Sequence, residues 1–257
     1  MPIHLQGNFK RMQRIHVLLR KEDILPNKMK EGKKIAVVLD ILLATSTMVS
    51  ALKNGSREVI PVLDAEEARQ VYQAFSPATA LIAGEYLTMP IKDFAYPNPS
   101  YINKRVNGRT LILATTNGTV ALRKAAYAHV TYISSLLNNH TTAKIITENA
   151  DNETVIIICS GNSGDFSLED FYGAGHLIDC LIQASSEEPE LNDAGKAALS
   201  FYRNHSGTPY ELIATSQVGN LLLKNRMDED LHLVSSKESI ELAVIMEGHK
   251  AIAKKPC

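Results

Sequence analysis

The feature that most constrains this chain is an alternation. Seven runs rich in β-branched and aliphatic residues, "IHVLL" (15–19), "IAVVL" (35–39), "EVIPV" (58–62), "ALIAG" (80–84), "TLILAT" (110–115), "VTYIS" (130–134) and "TVIIIC" (154–159), are separated by stretches with the apolar spacing of helices. "TSTMVSALKNG" closes on Asn54-Gly55 as a helix C-terminus does, and "DAEEARQVYQAF" opens on Asp64 as an N-cap. Further helices are expected in "LNNHTTAKIITENA", "FSLEDFYGAGHLIDCLIQA" and "NDAGKAALSFYRN". Parallel strands need crossovers, and crossover helices cover the faces of the sheet. The expected class is therefore α/β: three layers, α/β/α, around a mostly parallel or mixed sheet. The 257 residues make one such unit, or two lobes with the C-terminal part beginning near 185–193, "SSEEPELND". "ESIELAVIMEGHKAIAKK" reads equally as a strand with a tail or as one helix.

Ligands of such sheets bind beyond the carboxyl ends of the strands, and three of these strands end alike. "LILATTNGT" leads through Thr115, Thr116, Asn117, Gly118 and Thr119 into the helix-like "VALRKAA". "IAVVLDILLATST" passes Asp40 and reaches Thr45, Ser46 and Thr47; "TVIIICSGNSGDFSLED" passes Ser160, Gly161, Asn162, Ser163, Gly164 and Asp165. Any one of these alone is a turn followed by a helix cap. Three on one sheet edge can converge on one crevice, where main-chain N–H groups, hydroxyls and helix N-termini form an anion cradle.

Acids are interleaved with these loops: Asp40 at a strand end, Glu85 after "ALIAG", and Glu169 with Asp170 in the helix after the third loop. Carboxylates beside a phosphate cradle repel its ligand unless a hard cation lies between them. Mg²⁺ takes oxygen ligands and is commonly shared by one or two carboxylates and a phosphate. Phosphoryl-transfer chemistry follows, with Asp40, Glu85 and Asp170 as the expected metal ligands.

Other classes fit less well. Lys+Arg 27 against Asp+Glu 28 leaves a net charge of -1 and no basic stripe, so no nucleic-acid partner is expected. Cys159, Cys180 and Cys257 have no framework spacing, which suits a reducing cytosol, and Cys159 reads as a buried structural thiol. The N-terminal 28 residues are basic without the apolar core of a signal peptide, and no run approaches the roughly 20 apolar residues of a membrane span. A cytoplasmic protein is expected. None of the eight histidines is paired at i, i+4, and neither the P-loop nor the G-x-G-x-x-G pattern is present.

With these residues assembled, the sequence resembles the 2-phosphosulfolactate phosphatase family. The resemblance runs from about residue 15 to about residue 246. It is carried by "VVLDILLATSTMVSAL", "AGEY", "TTNGTVAL", "ICSGNSGDFSLEDFYGAG" and "SQVGNLLLKNRMDEDL", in that order. It implies an α/β Mg²⁺-dependent hydrolase of coenzyme M biosynthesis, acting on a phosphate monoester of a small acidic compound. Asp40, Glu85, Glu169 and Asp170 match acidic motif positions, and residues 45–47 and 115–119 match the polar loops. Three departures stand out. Leu42 and Tyr86 occupy positions where the family pattern carries arginine, and in "DFAYPNPSY" Asp93 and Pro97 replace glycines while Asn98-Pro99-Ser100 inverts the order after the asparagine. Neither leucine nor tyrosine replaces a guanidinium fork for phosphate or sulfonate oxygens, so a less acidic substrate, or reduced activity, is expected.

In the expected mechanism the polar loops, including Asn162, Ser163 and Gly164, bind the phosphate. Either water attacks with Glu169 as base, or Asp40 attacks through an aspartyl-phosphate. Two rivals share these residues. A haloacid dehalogenase-like phosphatase would need a second acid two residues after Asp40, where Leu42 stands. A non-catalytic anionic-metabolite binding protein would need only the cradle. Homodimerisation is the common default for a soluble enzyme.

Overall fold

A computed structural model of the protein describes residues 14–254. Cys257 and the first part of the basic N-terminal stretch lie outside the described residues. Eleven strands form one mixed sheet among the described residues: β1 (Arg14–Leu18), β2 (Lys34–Leu39), β3 (Glu58–Val62), β4 (Ala80–Tyr86), β5 (Met89–Pro90), β6 (Thr110–Ala114), β7 (Val130–Ser134), β8 (Thr154–Cys159), β9 (Glu190–Leu191), β10 (Ala243–Glu247) and β11 (Lys250–Lys254). Their order is β5-β4-β6-β3-β11-β10-β7-β2-β8-β1-β9. The helices that matter below are α1 (Pro26–Lys30), α2 (Ala44–Lys53), α3 (Ala65–Tyr72), α4 (Pro99–Ile102), α5 (Gly118–Ala125), α6 (Asn139–Asn149), α7 (Leu168–Ala184), α8 (Asp193–His205), α9 (Pro209–Ala214), α10 (Gln217–Lys224) and α11 (Asp228–Ser235). The seven strand-like runs all pair in the sheet, and the class is α/β as expected.

The sheet consists of two parallel blocks, β7-β2-β8-β1-β9 and β4-β6-β3, joined by the β10–β11 hairpin, which is antiparallel to its neighbour in each. The tail left open between strand and helix is this hairpin. Side chains alternate between faces along each strand, and the core follows. Ile35, Val37 and Leu39 of β2 pack with α6, α7 and α8, whereas Ala36 and Val38 pack with Met48 of α2 and Leu122 of α5. Leu111 and Leu113 of β6 enter that second core too, while Ile112 and Ala114 pack toward α3. Each block is thus locally an α/β/α sandwich, and the two share α2 and α5 as a middle layer. The sheet folds back over these helices, which brings the carboxyl ends of β2 and β6 together although the blocks run in opposite senses along the ladder.

The shared layer explains the sequence of α2. Every residue of Ala44–Leu52 is buried, and a helix buried on all sides cannot carry a charged face. Its polar residues are small hydroxyls; those of Thr45, Ser46 and Thr47 bond to main-chain carbonyls and that of Ser50 accepts from the Asn103 side chain. The 185–193 segment carries β9, which extends the sheet beside β1, and the chain then runs through α8–α11 before returning to the sheet centre. No helix among the described residues is long and apolar enough to cross a membrane.

Candidate active site

The site begins with Asp40, one residue beyond β2. Its carboxylate accepts from the N–H of Ala44 at 3.3 Å and from the N–H of Gly118. It therefore sits between the N-termini of α2 and α5, whose free N–H groups and dipoles favour negative charge. Gly118 is required by this approach, because a Cβ there would lie 2.6 Å from the Asp40 carboxylate and 2.6 Å from the Ala44 Cβ. Burial, with the charges of Glu85 and Glu169, outweighs these donors and pushes the Asp40 carboxyl up to about 7. Burial also raises Glu169 and Asp170, the latter further because of Asp40 and Glu169. Each of these three carboxyls thus favours its protonated form more than a free carboxyl does.

The loops around Asp40 are built by reciprocal hydrogen bonds. Thr45 Oγ1 accepts from the Asp40 N–H at 3.0 Å and donates to the Asp40 carbonyl at 2.9 Å; Thr119 Oγ1 accepts from the Thr115 N–H at 3.1 Å and donates to the Thr115 carbonyl at 2.8 Å. Ser46 donates to the Ile41 carbonyl and Thr47 to the Pro97 carbonyl. These four hydroxyls were expected in the phosphate cradle; in the structure they are fully buried and turned into the main chain, and none lines the cavity.

A cavity enclosing about 580 Å³, counting space open to solvent, lies above Asp40. Its polar lining includes Asp40, Glu85, Thr115, Thr116, Asn117, Asn162 and Ser163. The three loops expected to converge do meet here. Asn117 Oδ1 joins two of them by accepting from the Ser163 N–H at 3.0 Å. Gly164 serves the third loop as a turn: Asn162 and Asp165 exchange main-chain bonds of 2.9 Å around Ser163 and Gly164, both with positive φ. Opposite stand Leu42, Leu43, Leu87, Val218, Leu221 and Leu222, an aliphatic wall completed by α10. That contribution from residues far along the chain has no local signal in the sequence.

The metal ligands expected from the sequence are not drawn around one point. Among the described residues, the carboxylate oxygens of Asp40, Glu85 and Asp170 do not gather within 4.8 Å of one another. Main-chain donors hold two of them elsewhere. Glu85 accepts from the N–H of Thr116 at 2.7 Å, from its hydroxyl at 3.0 Å and from the N–H of Thr88 at 2.7 Å. Asp170 accepts from the N–H of Ile41 at 2.8 Å and of Gly161 at 3.1 Å, which ties the loop after β2 to the loop after β8. Glu169, expected as the base, lies off the cavity with its carboxylate bonded to Ser167 and Ser216. Only Asp40 and Glu85 of the four acids line the cavity.

Two features escaped sequence reading. Lys21, almost fully buried after β1, donates to Asn117 Oδ1 at 2.8 Å and pairs with Glu22 at 2.9 Å, so a cation lies directly behind the polar loop. Its signal was the Arg20-Lys21 pair at a strand end. The second is the two-residue turn between β4 and β5, where Leu87 and Thr88 both have positive φ, at 49° and 67°. A β-branched residue is a poor choice there; the Glu85 bond to Thr88 N–H and the Leu87 N–H bond to Thr116 Oγ1 at 2.8 Å hold it. Tyr86, at one of the family's arginine positions, is exposed on this hairpin, while Leu42, at the other, lines the cavity. Asp93 has φ of 69°, the left-handed backbone for which the glycine it replaces is suited.

The sequence pattern of the family described as 2-phosphosulpholactate phosphatase matches residues 19–249. The chain belongs to this family. Among its relatives, a protein of Clostridium perfringens is 37% identical over 213 residues, covering 81% of this chain and 84% of its own. One of Clostridium beijerinckii is 34% identical over 194 residues (75% and 79%), and one of Clostridium novyi is 32% identical over 231 residues (89% and 95%). All three are named probable 2-phosphosulfolactate phosphatase. Within the 2-phosphosulfolactate phosphatase family, then, this chain has leucine at position 42 and two acids, Asp40 and Glu85, in the lining of the cavity.

Proposed function

We propose that this protein is a phosphoric monoester hydrolase that cleaves a small phosphate ester in the cavity above Asp40, with Mg²⁺ as the metal. The observation that carries the reading is a buried carboxylate set between two helix N-termini and beside the polar cavity lining of Thr115, Thr116, Asn117, Asn162 and Ser163. The donor set fits a hard cation: the acids and hydroxyls around Asp40 offer oxygen, its carboxyl is pushed up to about 7 by burial and neighbouring acids, and Ser160 Oγ is buried without a partner at the end of β8. Asp40 would hold the ion directly, with Glu85, Glu169 and Asp170 adding negative potential. When bound, Mg²⁺ supplies Lewis-acid polarisation of a phosphate oxygen and offsets charge on the transferring group.

The protein's own residues do the rest. Thr115, Thr116, Asn117, Asn162 and Ser163 orient the phosphate, and Lys21 fixes Asn117 from behind. The Asp40 carboxylate is held by two N–H donors, which suits a fixed ligand better than an in-line nucleophile. Water is therefore the proposed nucleophile; phosphoryl transfer asks mainly for positioning and charge stabilisation. The non-phosphate end of the substrate faces the aliphatic wall, and no lysine or arginine lines the cavity among the described residues. Placing a sulfonate against that wall without a partner costs several kcal/mol. This supports a phosphate ester less acidic than the 2-phosphosulfolactate in the relatives' names.

The test is phosphate release from a panel of small monoesters, phosphosulfolactate included, with Mg²⁺ or EDTA, for the wild type, Asp40→Ala and Leu42→Arg. Metal-dependent release lost in Asp40→Ala is expected, with preference for an ester of uncharged body, and Leu42→Arg should move preference toward phosphosulfolactate. Selective, efficient turnover of phosphosulfolactate by the wild type would overturn the substrate reading alone. No release from any ester by folded wild type would overturn the phosphatase reading and favour a binding protein.

A further inference from the structure

A second group of metal-ligating side chains lies away from the cavity, on the outer face of the β7-β2-β8 block. One ligand atom each from His140 of α6, Cys180 of α7 and Glu238 of the segment before β10 lies within 4.8 Å of the others, the only such three-residue group among the described residues. The donors are nitrogen, sulfur and oxygen, unlike the all-oxygen set at Asp40. Cys180 is buried, with 5% of the residue exposed. It opens into a recess lined by His140, Lys144 and Gln183. His140 is exposed at the mouth of this recess. A buried thiol, an imidazole and a carboxylate thus bring three donors of different kinds to one point at the edge of this recess.

We infer that His140, Cys180 and Glu238 form a binding site for a thiophilic divalent cation, with zinc as the reference ion. Zinc takes mixed sulfur, nitrogen and carboxylate donors in tetrahedral geometry, and three protein ligands leave a fourth position for water. The surroundings are those of a supported site. Glu238 Oε1 lies 3.3 Å from Nε2 of the buried His176, and that ring's Nδ1 is 3.2 Å from Asn139 Nδ2, so the carboxylate is oriented from behind as metal-binding carboxylates are. The two neighbouring ammonium groups are engaged elsewhere: Lys237 donates to the Tyr202 hydroxyl and the Ser206 carbonyl, and Lys144 pairs with Glu148. Cation binding releases the Cys180 proton to solvent and ligates the thiolate. The ion would tie α6 and α7 to the segment that leads into the central hairpin, away from the phosphate site.

The experiment is zinc titration of the reduced full-length chain in excess Mg²⁺, which occupies the hard site, in a Cys257→Ser background so that the tail thiol is not counted. One zinc per chain is expected, with affinity falling about tenfold or more in Cys180→Ser and in His140→Ala. His140 is exposed on α6, so that variant retains the fold if the buried one does not. Cobalt(II) in place of zinc should give a sulfur-to-metal charge-transfer band that Cys180→Ser removes. Zinc binding that neither variant weakens, a cobalt spectrum without that band, or no zinc binding at all would overturn the inference.

Discussion

The junctions after β2 and after β6 use one device and deliver opposite chemistry. In both, a threonine early in the helix accepts from the main-chain N–H of the strand-end residue and returns a bond to its carbonyl: Thr45 with Asp40, Thr119 with Thr115. In both, a distant carboxylate takes the next residue's N–H: Asp170 that of Ile41, Glu85 that of Thr116. Only the presented residue differs. At β2 it is an aspartate whose charge lies between two helix N-termini; at β6 it is a threonine that, with Thr116 and Asn117, gives the cavity a neutral polar lining. The hydrogen-bonded frame is scaffold, and one side chain at its tip sets what each loop can bind.

The comparison can be broken in several ways. If Asp40 alone carries the chemistry of its loop, Asp40→Asn keeps the fold and lowers turnover by about 10²–10³ or more, whereas Thr115→Val lowers it far less; steady-state phosphate release measures both. Equal losses would show that the two loops do not divide the work. The carboxylate clamps differ in burial, so Asp170→Ala should destabilise by about 2–4 kcal/mol, through two stranded N–H groups, and Glu85→Ala by about half as much. Urea unfolding in EDTA decides, and the reverse order would refute the clamp role of Asp170.

Equivalence of the threonine device predicts that Thr45→Val and Thr119→Val each cost about 1–3 kcal/mol, because each strands a buried main-chain N–H. A large disparity between them in the same unfolding assay would make one device decorative. A further effect is graded in pH. Asp40, Glu169 and Asp170 have carboxyls raised above their unfolded values, so the metal-free fold holds more protons than the unfolded chain between about pH 4 and the raised values, near 7 for Asp40. Stability of the metal-free protein should therefore fall as pH rises through that window, by up to about 1.4 kcal/mol per pH unit for each group, and Mg²⁺ should flatten the decline. Thermal unfolding from pH 5 to 7.5 with EDTA or Mg²⁺ tests this, and a metal-free protein that gains stability with pH would contradict it.

Much of the site was legible because its signals are local. Asp40 stands at the end of an apolar run, and the Thr115–Thr119 loop and the Asn162–Gly164 turn each carry turn and cap residues in register with strand and helix. What misled was that hydroxyls have two uses. Thr45, Ser46 and Thr47 look like a cradle in sequence, yet in a helix buried between two blocks of sheet their hydroxyls must satisfy carbonyls first. The acids pose the same problem: a carboxylate that ligates a cation and one that clamps a loop are the same letter, and the choice rests on which N–H groups lie within reach.

Element order, the α/β class and the strand ends that meet at the cavity follow from the sequence alone, because periodicity and turn residues act over a few positions. The C-terminal hairpin, inserted between the two parallel blocks, and the fold of the sheet over α2 and α5 were decided by tertiary structure alone, since both depend on contacts between residues more than a hundred positions apart. That fold sets Gly118 against Asp40, gives the cavity its aliphatic wall from α10, and brings His140, Cys180 and Glu238 within one ion's reach. Local patterning cannot encode such distances; packing against a common core imposes them.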